Sequence, residues 1–559
     1  MEWSFSIELE AATPPPCLAD RSQGGPANRR IELPCSQRVS CSDPLAPLRT
    51  LDHNRHTMTG GGVGEPLIST KHVEEISQTS LCGEEDESGP INGVKDFVRE
   101  FSTESKKLWY VAGPAIFTSV FQYGYMAITM VVVGHMGTIQ LAAVSVENSV
   151  IAAFPYAVLL GMSSALETFC GQAFGANQLE MLGIHMQRSW LILNIMALAM
   201  VSLYIFATPI LKILGQTDAI STAAGKFSLW MIPQQFAYAM IFPTTKFLQA
   251  QSRVVAIAAI AAAALGLHFF LSWLFMLKLR WGLAGAAVTL DLVWWFIAIA
   301  QFLYIIAGTC GEAWSGFSWK AFENLWGFLK ISVASAVMIC SEIWYISVLT
   351  LFVGNLENAE VSVDASAVCT NVLGWISMAG LGFHVATSVR VSNELGSGHP
   401  GRVKFSAMVA GSTSLLFGFF IALVLMVTSK QYPAIFSNNS EVMHLVEELT
   451  PLLGICILFT NFQYTLTGAA IGAGWQVPVA CINVACYFLL GIPLGVLMGF
   501  KFKMGVKGLW CGMLIGLCLQ CSVLLYMLCV SNWEKEVYIA KERVKGWRGE
   551  TDAEGTSNS

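Results

Sequence analysis

The chain has 559 residues, of which 54% are hydrophobic and 13% charged, and its formal net charge is -6. Soluble domains carry charge on about a quarter of their residues, so this composition excludes an ordinary soluble fold and indicates that the lipid bilayer is the solvent. The small net charge says little about partners, and we expect no nucleic-acid partner.

Residues 1–107 differ in composition from the rest of the chain. They are rich in proline, glycine, serine and charge and lack a helical pattern, so they bury too little apolar surface to become ordered. We predict a disordered cytosolic extension there. We expect no signal peptide, because the chain does not begin with a basic segment followed by an apolar stretch. The lack of pattern up to residue 57 makes Met58 a candidate for the true start of translation.

Twelve windows are long and apolar enough to cross the bilayer, which takes about 20 residues of helix for roughly 30 Å of hydrocarbon. In the first half of the chain they cover residues 109–133, 141–170, 190–214, 227–247, 254–277 and 282–307. In the second half they cover residues 326–354, 365–389, 405–427, 452–472, 477–500 and 505–530. The sequence therefore predicts an all-α integral membrane protein with about twelve transmembrane helices.

The windows divide the chain into two lobes of six helices each. We place the first lobe at residues 108–308, a linker at 309–325, the second lobe at 326–531 and a cytosolic C-terminal tail at 532–559. Lys and Arg residues are more frequent in the loops on the side of the N-terminus, and this bias favours a cytosolic location for both termini.

The second lobe repeats the first at an offset of about 223 residues. Asn148 aligns with Asn371 and Gly175 with Gly398, and KLRWGLAG in the first half aligns with KFKMGVKG in the second. Each half has an even number of spans, so the halves are parallel repeats related by an axis along the membrane normal. Such repeats enclose a central cavity and can expose it to either face in turn, which is alternating access.

Glu342 lies in the middle of the seventh span, in ASAVMICSEIWYISVLTLFVG, with no basic residue in that helix beyond Lys330. A carboxylate inside the membrane costs roughly 2.5 to 3.5 kcal/mol on insertion scales and marks an ion or proton path by default. Because burial disfavours the charged form, such a group can load and release protons. We therefore predict that Glu342 is the proton-coupling residue. Its counterpart in the first lobe is the neutral Gln122.

Other polar residues within the spans are weaker candidates. Asp291 lies about two turns into the sixth span and is a candidate second acidic site. We interpret the remaining ionisable groups as helix-end, interhelical or hydrogen-bonded structural residues. They are Glu147, Glu167, Asp364, His268 and His384.

Aromatic and amide side chains gather in the spans of the second lobe, where they suit a planar, partly polar organic ligand. Each residue taken alone could equally tie helices together or belong to an interfacial belt. The predicted substrate cavity comprises Gln122, Tyr345, Asn371, Asn461, Gln463, Asn483 and Tyr487.

Common enzyme and pump signatures are absent from the sequence. There is no GxxxxGK[ST] loop for ATP, no HExxH zinc motif and no GxSxG elbow. Cys518 and Cys521 form CxxC only within the last apolar span, where packing is the better interpretation. We expect no enzymatic activity, no metal and no cofactor, with a proton gradient as the energy source. A secondary transporter, a channel and a receptor-like protein remain, and the repeats with a buried acid favour the transporter.

Several motifs resemble those of the plant multidrug and toxic compound extrusion (MATE) family. They are CGQAFGANQ, RVSNELGSG, VGHMG, LAAVSVENSVIA, CSEIWY, AGWQ and GIPLGV, spread over residues 106–533. The resemblance implies two six-helix lobes in a V shape and cation-coupled antiport, with protons in plant members. It places the seventh-helix glutamate of the family on Glu342. Many plant relatives also carry an acidic residue in the tenth helix, where this chain has Thr460.

The pattern is most similar to the branch of flavonoid transporters in the vacuolar membrane. That resemblance implies an antiporter that exchanges protons for flavonoid glycosides, other phenolics or xenobiotics and removes them from the cytosol, with the vacuolar membrane favoured over the plasma membrane. The expected partners are the lipid bilayer, protons and a small organic substrate, and we expect a monomer. The alternative is a vacuolar anion channel or an organic-acid efflux carrier on the same fold.

Overall fold

The computed structural model describes residues 93–356 and 359–548. The predicted extension up to residue 92, with Met58, therefore lies outside the described residues. In the first lobe the membrane helices are α1 (Val94–Gly134), α2 (Thr138–Gly175), α3 (Leu179–Ile205), α4 (Ile232–Ala250), α5 (Val254–Lys278) and α6 (Leu283–Thr309). In the second lobe they are α7 (Leu325–Val353), α8 (Ala359–Ser397), α9 (Pro400–Val427), α10 (Ser440–Ala473), α11 (Gln476–Lys501) and α12 (Val506–Val530). A last helix, α13, spans Trp533–Arg548.

Shorter helical segments connect the membrane helices. Between α3 and α4 lie Ala207–Ile213 and Asp218–Trp230. The predicted linker between the lobes contains two single turns, Gly311–Ala313 and Trp319–Phe322. A further turn, Tyr432–Ile435, joins α9 to α10.

Eleven helices in the described ranges are long and apolar enough to cross a membrane. The twelfth, α4, is less apolar because it contains polar residues such as Gln234, Gln235 and Lys246. These side chains are buried against other helices. It packs against α2, α3 and α6, so it is an integral part of the first lobe. The predicted fold class of an all-α protein with about twelve membrane helices is confirmed.

Several predicted spans have different ends in the structure. The window 452–472 begins too late, since α10 begins at Ser440, and the window 190–214 runs past the end of α3 at Ile205. The window 227–247 crosses a break at Met231, and α4 begins at Ile232 with Pro233 in its first turn. Proline suits that position because its missing N–H would have no partner there. The window 190–214 begins too late, because the start of α3 contains His185, Gln187 and Arg188, which are buried by packing and not by lipid.

The predicted disordered extension is wrong for residues 94–107, which form the beginning of α1. This segment is held by contacts with the second lobe. Phe97 packs edge-on against Phe405 at 6.1 Å, and Arg390 donates two hydrogen bonds to the Glu104 carboxylate at 2.9 and 3.1 Å. Hydropathy missed the segment because charged and aromatic contacts, which no apolar periodicity reveals, order it.

The packing of helices confirms the internal repeat. In the first lobe α1 contacts α5, and α4 contacts α2, α3 and α6. In the second lobe α7 contacts α11, and α10 contacts α8, α9 and α12, which is the same set shifted by six helices. The lobes meet where α1 packs on α8 and α2 packs on α7. Exchanging the lobes replaces α1 by α7 and α8 by α2, so the first pair becomes the second. A two-fold axis along the membrane normal requires this relation.

Aromatic residues bridge the lobes at both seams. Tyr123 of α1 contacts Trp375 of α8 with ring centroids 4.6 Å apart. Phe154 of α2 stacks on Trp344 of α7 at 5.6 Å. We call the face at which α1 begins and α12 ends the terminal face. Among the described residues, the hydrogen bonds, ion pairs and ring contacts between the lobes are confined to one part of the interface. That part extends from these aromatic pairs to the terminal face.

Glycines allow a close approach of the lobes at the terminal face. A Cβ atom on Gly175 would lie 2.0 Å from the carbonyl oxygen of Asn393, and one on Gly396 would lie 2.2 Å from that of Gln172. Gln172 also donates a hydrogen bond of 3.1 Å to the carbonyl of Gly472 in the other lobe. The ends of α2, α8 and α10 therefore close the molecule on this side.

Helix α13 lies across the closed terminal face, where the sequence predicted only a tail. In the second lobe, Trp533 stacks on Trp475 at 5.5 Å. In the first lobe, Arg543 donates a hydrogen bond of 2.8 Å to the Gln172 carboxamide, and the ring of Trp547 lies 5.0 Å from the Arg188 guanidinium. The helix thus joins the two lobes.

Gly396→Ala should lower the free energy of unfolding by about 1 to 3 kcal/mol, the usual cost of overpacking. The added methyl group would collide with backbone at the lobe interface, which cannot rotate away. Gly266→Ala is the matched control, because Gly266 is also helical and has no atom within 4 Å of the added Cβ. Thermal unfolding of the purified variants in detergent checks this, and equal midpoints would contradict the close contact.

Candidate functional site

Glu342 is the centre of a polar network inside the second lobe. It extends from α7, and its side chain is partly exposed. Its Oε1 atom accepts a hydrogen bond of 2.9 Å from Nε2 of Gln463 on α10 and one of 3.2 Å from Nδ2 of Asn483 on α11. Gln463 also donates to the Thr467 hydroxyl at 3.1 Å. Three helices thus converge on one carboxylate oxygen.

The network continues from Asn483 to α12. Gln520 donates a hydrogen bond of 2.6 Å to Oδ1 of Asn483, and the Tyr487 hydroxyl donates to the Gln520 carboxamide oxygen. The Tyr487 ring stacks on Tyr345 at 4.5 Å with an angle of 10° between their planes. Tyr345 in turn donates a hydrogen bond of 3.3 Å to the carbonyl of Gly512. We call the side chains of Glu342, Gln463, Asn483, Tyr487 and Gln520 the C-lobe network.

The chemistry of this network suits a change of protonation. No salt bridge to Glu342 occurs in the described part of the chain, and its hydrogen-bond donors are neutral amides. An ionised carboxylate only accepts hydrogen bonds, whereas a protonated one also donates. A proton on Glu342 would therefore require a new acceptor and a different arrangement of the amides around it.

The structure brings together five of the residues predicted for the site, namely Glu342, Tyr345, Gln463, Asn483 and Tyr487. The other predicted residues lie outside the network. Asn461 is buried but bonds to the carbonyl of Ile457 on its own helix, and Asn371 is exposed and bonds likewise to Ala367. Gln122 is partly buried in the first lobe.

Sequence reasoning missed Gln520 and Thr467. Gln520 is fully buried, and its carboxamide stands alone among apolar residues in α12, a signal that could have identified it. Thr467 resembles many other hydroxyl residues of α10 and gave no such signal. Thr460 is partly buried on the same helix and brings no ionisable group to the network.

A buried charge cluster lies next to the network at the lobe interface. Lys246 of α4 forms a 2.6 Å ion pair with Oε1 of Glu167 on α2. His384, on α8 of the other lobe, places Nε2 3.4 Å from Oε2 of the same carboxylate, and its Nδ1 lies 3.2 Å from the Tyr464 carbonyl. His384 also interacts electrostatically with Glu342. Glu167 and His384 are thus interhelical contacts, as the sequence indicated, and through them the Lys246–Glu167 ion pair of the first lobe meets the second lobe.

Asp291 does not join Glu342. It lies in the first lobe on α6, and its Oδ1 atom is buried. Within residues 93–356 and 359–548, no group of three or more His, Cys, Asp or Glu side chains could hold a metal ion.

Comparisons with known proteins agree with this architecture. The MatE family model matches residues 114–274 and 334–497, one segment in each lobe. The chain is 54% identical over 487 residues to Protein DETOXIFICATION 29 of Arabidopsis thaliana, which covers 85% of this chain and 97% of the relative. It is 56% identical over 458 residues to Protein DETOXIFICATION 32 of the same plant, covering 82% and 89%.

Solved structures give the same result. The crystal structure of the eukaryotic MATE transporter AtDTX14 matches with a TM-score of 0.76 and 32% identity, covering 79% of this chain and 99% of that one. A mutant of the Vibrio cholerae MATE transporter VcmN, at 17% identity, shares the fold with a TM-score of 0.71, over 78% of this chain and 100% of that one. The chain therefore belongs to the MatE family of membrane transporters and is not an enzyme.

Proposed function

We propose that the protein is a proton-coupled antiporter that moves organic compounds out of the cytosol by alternating access, with Glu342 as the coupling carboxylate. The observation that carries this proposal is the environment of Glu342. It is partly exposed, it forms no salt bridge among the described residues although His384 acts on it electrostatically, and neutral amides from two other helices hold it. Such a group can exchange a proton with a cavity and pass the change on to three helices.

The terminal face corresponds to the cytosol in this proposal, so both termini are cytosolic. The lobes are closed on that side, as expected for a state open toward the lumen. A proton from an acidic lumen would load Glu342, rearrange the C-lobe network and release the substrate there. Return of the proton to the cytosol would complete the cycle. The transporter works as a monomer and needs no cofactor besides the proton gradient.

The substrates we propose are planar organic compounds such as flavonoid glycosides, other phenolics and xenobiotics, and the membrane is that of the vacuole. The stacked rings of Tyr345 and Tyr487 are buried, each 4% exposed, so the support for this substrate class comes from the family and not from an open aromatic surface. The names of the Arabidopsis relatives, which refer to detoxification, are consistent with removal of such compounds from the cytosol.

Uptake into vesicles at clamped voltage tests the proposal. A gradient of about two pH units is worth roughly 2.7 kcal/mol per proton, so one-to-one exchange should concentrate a flavonoid glycoside about a hundredfold. Collapse of the pH gradient should abolish the accumulation. Flux that ignores the pH gradient and follows only the concentration and voltage would instead identify an anion channel or an organic-acid efflux pathway, and would reject antiport.

A further inference from the structure

The loop between α9 and α10 contains Asn438-Asn439-Ser440, the one Asn-x-Ser/Thr triplet in the 559 residues of the sequence. The first asparagine of such a triplet is the acceptor of N-linked glycans, provided that the middle residue is not proline. The triplet is used only where the chain faces the lumen and is accessible. The position and surroundings of Asn438 therefore decide whether it is a modification site.

The loop lies on the face opposite to the terminal face. The last turn of α10 is at the terminal face, because the carbonyl of Gly472 accepts a hydrogen bond from Gln172 there and Trp475 stacks on Trp533 of α13. Helix α10 contains 34 residues, so its first residue lies about 50 Å away along the helix axis. With cytosolic termini, as proposed above, Asn438 is on the luminal side.

Helix α10 is longer than the bilayer is thick. Its length of about 50 Å exceeds the roughly 30 Å of hydrocarbon by about 20 Å. Residues 449–473 contain no Asp, Glu, Lys or Arg and suit the membrane. The first nine residues of the helix instead contain four ionisable side chains, which are Glu441, His444, Glu447 and Glu448. The excess length therefore projects from the membrane at the end next to Asn438.

Glu448 shows where the membrane ends on this side. It forms an ion pair of 2.9 Å with Lys507 at the start of α12, and the two side chains are 40% and 43% exposed. Charged side chains on the outside of the protein would be costly in hydrocarbon, so this pair lies in water. Asn438 precedes Glu448 by ten residues, which places it about 15 Å farther from the hydrocarbon.

The two side chains that a glycosylating enzyme must recognise are free. Asn438 and Ser440 are both exposed, and in the described part of the chain neither side chain has a hydrogen bond or an ion pair. The neighbouring Asn439 caps α10 instead, since its Oδ1 atom accepts a hydrogen bond of 3.0 Å from the backbone N–H of Glu441. Asn438 itself lies outside regular secondary structure. The fold therefore makes no use of its carboxamide.

We propose that Asn438 is a site of N-linked glycosylation at the luminal end of the transporter. The donor is an oligosaccharide carried on a lipid diphosphate. Nδ2 of Asn438 loses a proton and bonds to C1 of the first sugar, while the bond from C1 to the diphosphate oxygen breaks and the lipid diphosphate leaves. The site rests on the cytosolic termini of the proposed function, but it does not involve Glu342.

Electrophoretic mobility tests the site on the full-length protein with an epitope tag at its C-terminus, synthesised in the presence of microsomes from the endoplasmic reticulum. The wild type should migrate more slowly by one discrete step, and endoglycosidase H should restore the mobility of the unmodified chain. In the same microsomes, protease added from outside should remove the tag, because the C-terminus is cytosolic. Mobility thus reports the modification, and the tag reports the topology.

Asn438→Gln and Ser440→Ala should each lose the mobility shift, because each destroys the triplet. Ser440→Thr should keep it. Asn439→Ser is the matched control, since it retains the triplet and serine replaces asparagine well as a helix cap.

An unmodified wild type with a protease-accessible tag overturns the proposed site and leaves the topology intact. An unmodified wild type with a protected tag overturns the site together with the cytosolic location of the termini. A shift that Asn438→Gln retains also overturns it. Since no readout involves transport, the role of Glu342 is judged separately.

Discussion

Vesicles that contain Glu342→Gln should no longer concentrate substrate in response to a pH gradient. The roughly hundredfold accumulation expected of the wild type at about two pH units should fall to equilibration. Glutamine keeps the shape of the side chain and can still bond to Gln463 and Asn483, but it cannot bind or release a proton. Uptake at clamped voltage, with substrate binding measured in parallel, checks the result.

Two further variants separate proton coupling from structural damage. Glu441→Gln changes an exposed acid at the start of α10 and should accumulate substrate like the wild type. Gln520→Leu removes the bond that orients Asn483 and should weaken coupling without abolishing it. If Glu342→Gln still accumulates substrate against its gradient in response to pH, Glu342 is not the coupling residue.

Lys246→Met should destabilise the protein by about 3 to 5 kcal/mol, the usual cost of leaving one member of a buried ion pair alone. The Lys246 side chain is 10% exposed and that of Glu167 is 5% exposed, so water cannot replace the lost ammonium group. His384, at 3.4 Å, is the one remaining partner of the carboxylate among the described residues. The fraction of monodisperse protein and its unfolding midpoint in detergent measure the effect.

The double variant Lys246→Met/Glu167→Gln should recover most of the lost stability, because it removes the unpaired charge along with its partner. Lys212→Met serves as the control on an exposed pair, since Lys212 and Asp218 are 47% and 87% exposed and should contribute little. A Lys246→Met protein as stable as the wild type would show that the buried pair is not required, and no rescue by the double variant would point to a different role for Lys246.

The fold was predicted well because hydropathy and the internal repeat both depend on the apolar spans, whose surface is removed from water. It failed where burial came from protein contacts. The polar residues of α4 and of the start of α3 are covered by other helices, so a hydropathy window could not place those helices correctly. The beginning of α1 and all of α13 are ordered by contacts with distant parts of the chain.

The site was predictable in part for a similar reason. Glu342, Gln463 and Asn483 are polar residues in apolar spans, and their cost in lipid makes them visible in the sequence. Their mutual arrangement depends on how α7, α10 and α11 pack, which one sequence does not contain. Glu147 was interpreted as a helix-end or interhelical contact, and its position near the start of a span does not reveal that its side chain is buried.

Helix α13 gives the carrier a preferred resting state. Its contacts with both lobes can all be present only while the terminal face is shut. When that face opens to the cytosol in a cycle of the proposed kind, α13 must release one lobe, so that state lacks part of the contact energy. Without substrate, the carrier would then stay closed on the cytosolic side. Protons from the lumen could not pass through it into the cytosol in that state. In the proposed antiport cycle, the short helix after the last span would therefore help to preserve the proton gradient.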